Sequence, residues 1–87
     1  MTEEIRREGE VFGPHLRTLR LARGLTQTEL ANRSRSNLQF ISKLERGLTT
    51  PTLGMLLRLA EALGCRVAKL VDVFDRGPRV SPKSRRD

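Results

Sequence analysis

The chain has 87 residues, with 17 Lys and Arg residues against 10 Asp and Glu residues, a formal net charge of +7, one Cys and one His. This length leaves room for one small domain, and the single Cys and His exclude an intramolecular disulfide and a zinc site with several Cys or His ligands. Because no apolar run approaches the roughly 18 residues of a membrane span and the N-terminus does not resemble a signal peptide, we expect a cytoplasmic protein without membrane contact.

The charge is distributed unevenly along the chain. Residues 15–46, the basic half, carry a net charge of +5, whereas residues 47–75, the neutral half, carry equal numbers of positive and negative side chains. This one-sided charge favours a polyanionic partner, although a surface that only keeps the protein soluble would have the same composition. Net charges of −2 over residues 1–10 and +4 at the Pro- and Ser-containing C-terminus complete the pattern. We therefore expect an acidic, flexible extension over 1–11, a folded domain over 12–75 and a disordered basic tail over 76–87.

The first predicted helix runs from about residue 13 to residue 23. Leu16, Leu19 and Leu21 with Ala22 are the apolar residues that indicate this helix, and Gly24 suits the left-handed residue that follows the end of a helix. Pro14 suits the first turn, because an N–H at that position has no partner within a helix.

Two short helices follow in the basic half. Thr26 and Glu29 have the spacing of a capping box, in which each side chain bonds the backbone N–H of the other residue, and they predict a second helix of about eight residues. A polar break over 34–37 comes next, and Asn37 is a good N-cap for a third helix that ends at Gly47. The inward-facing apolar residues of these helices are Leu30, Ala31, Phe40, Ile41 and Leu44.

The neutral half contains two more predicted helices. The fourth begins at Pro51-Thr52 and ends at Gly64, and the fifth runs from about residue 67 to residue 74 behind Arg66, a weak N-cap. Cys65 is expected to fill a small apolar slot beside the fourth helix. No alternating strand pattern occurs, so the sequence predicts an all-α fold, a five-helix orthogonal bundle. The apolar stripe predicted on the fourth helix consists of Leu53, Leu56, Ala60 and Leu63.

The second and third predicted helices, joined by a short polar turn, have the layout of a helix-turn-helix. Residues at fixed spacings resemble the XRE family, the Cro and lambdoid-repressor type of DNA-binding domain, over about residues 12–74. The resemblance implies the lambda-repressor-like fold and sequence-specific binding to double-stranded DNA. The matching segments are Leu19-Arg20, Gly24-Leu25-Thr26-Gln27, Glu29-Leu30-Ala31, Ile41-Ser42, Glu45-Arg46-Gly47, Pro51-Thr52-Leu53 and Leu59-Ala60-Glu61-Ala62-Leu63-Gly64.

The resemblance also implies which residues contact DNA. The third helix, about residues 38–46, would enter the major groove, and the second helix would lie across the phosphate backbone. Gln39 can pair with adenine through two hydrogen bonds, whereas Lys43 can reach guanine, a phosphate or only solvent. The residues implied to contact bases are Asn37, Leu38, Gln39, Ser42 and Lys43. Those implied to contact phosphates are Thr26, Gln27, Arg35, Arg46 and Thr49.

Other positions carry structural expectations. In the family, the positions of Arg20 and Glu45 form a partly buried ion pair, so we expect changes there to weaken DNA binding by loosening the fold. Arg35 stands where the family usually has Gly. Because a left-handed conformation costs a non-Gly residue about 1–2 kcal/mol, we expect a turn of different shape here. His15 has no metal-binding partner nearby and is expected at the surface or close to a phosphate.

The resemblance implies a transcriptional regulator that acts as a homodimer on an operator with two half-sites. Since there is no room for a sensor domain, we expect no cofactor and no small-molecule ligand. A controller protein of a restriction-modification system, a phage-type repressor and an antitoxin all fit as biological contexts. The surplus apolar residues that suit a dimer interface are Met55, Leu57, Leu59 and Val73, and the residues assigned to that interface are Met55, Leu59, Val73 and Phe74.

A different class of function is left open. The same fold could be an antitoxin or coactivator-like module that binds a protein, such as a toxin or RNA polymerase, through the surface of its fourth and fifth helices. Such a complex would survive changes at Gln39 and Lys43. An enzyme is disfavoured, because the sequence offers neither a nucleophile–base pair nor a pair of converging carboxylates.

Overall fold

The computed structural model describes residues 3–75, with side chains from residue 7 onward, and residues 3–75 contain helices but no strand. The predicted all-α fold with five helices is confirmed. The expected basic tail, residues 76–87, lies outside the described residues. The helices are α1 (Glu3–Ala22), α2 (Gln27–Arg33), α3 (Leu38–Glu45), α4 (Leu53–Leu63) and α5 (Val67–Val71), followed by a 3₁₀ turn (Asp72–Asp75).

The first helix is longer than the sequence predicts. It starts at Glu3, not near residue 13, so most of the segment expected to be a flexible extension is helical and Pro14 lies inside the helix. Pro14 has no N–H to donate to the carbonyl of Glu10, so the helix lacks one backbone hydrogen bond there. For this reason the sequence predicts a helix that begins close to Pro14. Gly9 and Phe12 are both buried, so α1 belongs to the folded domain from residue 9 onward.

Two glycines explain why α1 continues toward the N-terminus. A Cβ atom added at Gly9 would lie 2.7 Å from the carbonyl oxygen of Gly47, and one added at Gly13 would lie 2.6 Å from the carbonyl oxygens of Leu44 and Glu45. The backbone of α1 therefore packs directly on the end of α3 and the turn after it. This contact between distant segments stabilises the first turns of α1.

The caps of α2 and α3 are those that the sequence predicts, and Thr52, at the predicted start of the fourth helix, is the N-cap of α4. Thr26 and Glu29 form the capping box of α2, with Thr26 Oγ1 accepting from Glu29 N at 3.0 Å and Thr26 N donating to Glu29 Oε1 at 2.8 Å. Asn37 Oδ1 accepts from Phe40 N at 2.8 Å, and Thr52 Oγ1 accepts from Met55 N at 3.1 Å. These bonds satisfy backbone N–H groups that the first turn of a helix leaves without a helical partner.

The face that α4 turns to the core is wider than the predicted stripe, of which Ala60 and Leu63 are buried and Leu56 is partly buried, as the sequence predicts. Met55 and Leu59 are 2% and 0% exposed, whereas Leu53 and Leu57 are 69% and 52% exposed. The assignment of Met55 and Leu59 to a dimer interface was therefore wrong, because both side chains fill the core of their own domain. The core consists of Phe12, Leu16, Leu25, Leu30, Ala31, Ile41, Leu44, Met55, Leu59, Ala60, Leu63 and Leu70.

His15 is buried, contrary to its expected place at the surface. Its Nε2 lies 2.8 Å from the carbonyl oxygen of Lys69 and 3.3 Å from Asp72 Oδ1. The imidazole thus connects α1 to α5 and to the 3₁₀ turn, which fixes the neutral half of the chain against α1.

Candidate nucleic-acid interface

The turn between α2 and α3 contains a non-glycine residue in a left-handed conformation. Arg35 has φ = 58°, the conformation for which glycine is usually selected, so the expectation of a reshaped turn was wrong. Ser36 N donates to the Ala31 carbonyl at 2.8 Å, and Arg58 Nε donates to the Ser34 carbonyl at 3.0 Å. These bonds hold the turn although Arg35 itself is strained.

One face of α3 is exposed and polar. Leu38, Gln39 and Lys43 are exposed, and Ser42 is half-buried, while Ile41 and Leu44 are buried in the core. Residues 38, 39, 42 and 43 lie on one side of the helix because positions four apart are neighbours on its surface. Asn37 is exposed and uses its Oδ1 for capping, so its Nδ2 is the group it can offer to a base.

The residues expected to contact phosphates are not all in one place. Thr26 and Gln27 line an open groove between α1, the start of α2 and Leu38 at the start of α3, and Arg46 and Thr49 follow the end of α3. The guanidinium of Arg35 lies 4.0 Å from the Glu61 carboxylate on α4, with both side chains largely exposed. An exposed pair at this distance is weak, so Arg35 can leave it at little cost.

Arg20, Glu45 and Gln27 form a connected group behind this surface. Arg20 Nε and Nη2 donate to the two carboxylate oxygens of Glu45 at 2.6 Å and 3.0 Å, and the side chains of Arg20 and Glu45 are only 8% and 4% exposed. Arg20 Nη1 donates to the Leu25 carbonyl at 2.7 Å, and Gln27 Nε2 donates to Glu45 Oε1 at 2.9 Å. The group therefore joins α1, the start of α2 and the end of α3.

The groove that holds Thr26 and Gln27 also contains residues that the sequence does not single out. Leu21 and Thr28 line it together with Arg17 and Leu38. Thr28 could have been found from its exposed place in the first turn of α2, whereas the sequence marks Leu21 only as an apolar residue of the first helix and not as part of a DNA-binding surface. Arg23, by contrast, donates from Nη2 to the Gly64 carbonyl at 2.9 Å, which uses its guanidinium at the end of α4.

Cys65 packs against the core next to Gly64, as the sequence predicts. Burial raises the pKa of its thiol, and the nearby positive charges of Arg23 and Lys69 oppose that shift. The pKa is raised overall, so the thiol stays protonated at neutral pH and is a weak nucleophile. Among the residues described, no group of three His, Cys, Asp or Glu side chains could hold a metal, and no helix is long and apolar enough to cross a bilayer.

Comparison with known proteins agrees with this geometry. A family model described as helix-turn-helix matches residues 16–70, which is most of the chain. The chain is 41% identical over 69 residues to an uncharacterized HTH-type transcriptional regulator, y4dJ, of Sinorhizobium fredii, covering 79% of this chain and 90% of that protein.

Two solved structures are similar over almost their whole length. The restriction-modification controller protein C.AhdI from Aeromonas hydrophila has a TM-score of 0.73 and 35% identity, covering 75% of this chain and 94% of that one. The clp gene regulator ClgR from Corynebacterium glutamicum has a TM-score of 0.72 and 32% identity, covering 82% of this chain and 95% of that one. With 35% and 32% identity, the two proteins are similar to this chain in sequence as well as in fold.

Proposed function

The chain belongs to the XRE-type helix-turn-helix family of DNA-binding transcriptional regulators, and we propose that it acts as a homodimer on an operator with two half-sites, with α3 in the major groove. The observation that carries the proposal is the exposed polar face of α3. The helix α3 is short, is N-capped by Asn37 and is anchored to α1 through Glu45, so the side chains on its exposed face extend from a rigid support.

The chemistry of this face supports direct reading of bases. Gln39 can donate to and accept from adenine at the same time, and Lys43 can donate to the acceptors of guanine. Leu38 offers an apolar contact that suits a thymine methyl group. Asn37 and Ser42 add hydrogen-bonding groups at the edges of the same face.

Phosphate contacts would fix the position of α3 in the groove. In the proposed complex these contacts come from Thr26 and Gln27 at the start of α2 and from Arg46 and Thr49 after α3. Family members contact the DNA backbone from the matching positions. Contacts of this kind give affinity for any duplex but carry little sequence information. Arg35 would join them after leaving Glu61.

A dimer would double a small contact area. Family members bind half-sites about 34–36 Å apart, one helical turn of DNA. Val73 is half-buried and Phe74 is exposed, so both can contact a second chain. On α4, the exposed Leu53 and Leu57 replace Met55 and Leu59 in the proposed interface, because Met55 and Leu59 are buried in the core. The similarity to a restriction-modification controller protein supports that biological context for this chain.

Selection of bound duplexes from a random library tests this function. We expect enrichment of two related half-sites spaced by about 10 base pairs, and sedimentation of the complex should give two chains per duplex. Failure to enrich any sequence would contradict sequence-specific binding. Enrichment of a single half-site with one chain bound would contradict the homodimer while leaving the DNA-binding face in place.

The exposed apolar side chains of Leu53, Leu57 and Phe74 also favour a second candidate function, binding of a protein partner such as a toxin or RNA polymerase. In that case, a complex with the partner should persist when Gln39 and Lys43 are both changed to Ala. Loss of that complex together with DNA binding would contradict a separate protein-binding role.

A further inference from the structure

The Gln27 side chain is attached to the ion pair behind the DNA-facing surface. Its Nε2 donates to Glu45 Oε1 at 2.9 Å, and the same oxygen accepts from Arg20 Nη2 at 3.0 Å. Gln27 is half-buried and lines the open groove at the start of α2. Glu45 on α3 therefore contacts Gln27 on α2, the residue that we propose to bind a DNA phosphate.

We propose that Glu45 is a positioning residue for phosphate binding by Gln27, and that Arg20 makes a carboxylate tolerable at this place. The proposal rests on the proposed function, because it concerns how the DNA-binding surface is prepared. It goes beyond a purely structural role of the ion pair, which would affect DNA only through the stability of the fold.

The carboxylate determines which way the Gln27 amide points. A carboxylate only accepts hydrogen bonds, so rotating the amide by half a turn would bring two acceptor oxygens together. The nitrogen is therefore held on the Glu45 side. Nε2 carries two N–H groups, and since one is donated to Glu45, the second is the group that can be donated to a phosphate oxygen.

The charge of Glu45 would by itself repel a phosphate. Arg20 offsets this charge through two hydrogen bonds to the same carboxylate, and both side chains are almost fully buried. Buried charges are screened by salt much less than exposed ones, so the neutralisation persists at physiological ionic strength. Arg20 also holds the Leu25 carbonyl, immediately before the N-cap of α2, and so fixes the backbone from which Gln27 extends.

A fixed amide binds better than a mobile one. An unattached Gln side chain loses rotamer freedom when it contacts DNA, whereas an amide already bonded to Glu45 has lost it in the free protein. We therefore expect the bond to Glu45 to strengthen the contribution of Gln27 to DNA affinity about three- to tenfold.

A double-mutant cycle on the full chain tests the proposal. The ion pair is replaced by an apolar pair, Arg20→Met with Glu45→Met, since such replacements can preserve stability. Gln27→Ala is then measured in both backgrounds by fluorescence anisotropy on an operator duplex, with melting followed by circular dichroism. We expect Gln27→Ala to weaken binding about tenfold in the native background and less than about twofold in the Met background.

The matched control is Gln39→Ala, which alters the same residue type on the exposed face of α3. Gln39→Ala should reduce DNA affinity by the same factor in the native and Met backgrounds, because no hydrogen bond links Gln39 to Glu45. Equal factors for Gln27→Ala in both backgrounds would overturn the proposal. If the native protein bound no duplex at all, the proposed function would fail instead.

A measurement on the native chain covers the case in which the Met variant does not fold. Hydrogen exchange of side-chain amides by NMR compares Gln27 with Gln39 in the same sample. We expect the Gln27 Nε2 protons to exchange at least several-fold more slowly than those of Gln39, because one of them is bonded to a buried carboxylate. Equal exchange rates would overturn the proposal without any reference to DNA.

Discussion

The basic and neutral halves of the chain both bury apolar side chains, but they differ in what they expose and in how they use polar groups. The basic half carries a net charge of +5, exposes a polar face on α3 and is organised by directional bonds such as Arg20–Glu45. The neutral half has no net charge and exposes Leu53 and Leu57. A surface that reads DNA requires positioned side chains, whereas an apolar contact surface requires only shape and area.

Among the described residues, three side chains join the two halves by bonding a backbone carbonyl on the other side. His15 Nε2 lies 2.8 Å from the Lys69 carbonyl oxygen, and Arg23 reaches the Gly64 carbonyl at 2.9 Å. Arg58 reaches the carbonyl of Ser34 in the helix-turn-helix turn at 3.0 Å. The neutral half therefore supports the turn that aims α3, so the two halves are distinct in surface but not independent in structure.

The largest predicted effect is the loss of the buried ion pair in the basic half. Glu45→Ala leaves Arg20 buried without its carboxylate, and we expect the free energy of unfolding to fall by about 3–5 kcal/mol. Urea denaturation measures the change. The exposed Glu61→Ala in the neutral half is the control and should change stability by less than about 1 kcal/mol; comparable losses from the two changes would contradict the difference between the halves.

A smaller loss is expected where α1 meets the end of α3. Gly13→Ala would place a Cβ 2.6 Å from two backbone carbonyl oxygens, so the helices must separate, and we expect a loss of about 1–3 kcal/mol in thermal or urea unfolding. In the neutral half, a Cβ added at Gly54 would meet Arg58 Nη1 at 3.7 Å and Thr52 Oγ1 at 3.9 Å, both ordinary van der Waals contacts. That control should be neutral or stabilising by up to about 1 kcal/mol, because Ala favours helix more than Gly. Similar losses at both glycines would argue against close backbone packing of α1 on α3.

DNA affinity should separate the two kinds of contact within the basic half. Gln39→Ala is expected to weaken binding to the selected operator by about tenfold and to relax the preference at one base pair of each half-site, because it removes a base contact. Gln27→Ala should weaken binding to all sequences about equally. Anisotropy titrations with operator and scrambled duplexes at one salt concentration measure both effects. Equal losses on the two duplexes from Gln39→Ala would show that it does not read a base.

The smallest predicted effect is a gain in stability at the turn. Arg35→Gly should stabilise the fold by up to about 1 kcal/mol, since Gly adopts φ = 58° without the steric cost that Arg bears. Thermal unfolding measures the gain, with Arg33→Gly at the end of α2 as a control that should destabilise. A loss of stability at position 35 would mean that contacts of the Arg side chain outweigh the backbone strain.

The exposure of the proposed base-reading residues could be predicted from the sequence, but the hydrogen bonds that connect the candidate site could not. The exposure of Gln39 and Lys43 follows from helical spacing once the helix boundaries are known. The bond between Gln27 and Glu45 joins residues 18 positions apart on different helices, so no local pattern indicates it. The same holds for Leu21, whose place in the groove depends on how α1 lies against α2.

What the sequence determined by itself is the local part of the structure. Asn37 caps α3, Gly64 ends α4 with φ = 66°, and residues 15–46 carry a net charge of +5, because capping, turn conformation and charge depend only on neighbouring residues. Tertiary structure decided the rest. Backbone packing at Gly9 and Gly13 accompanies the early start of α1, and burial of Met55 and Leu59 set the face of α4, since these contacts join segments that are far apart along the chain.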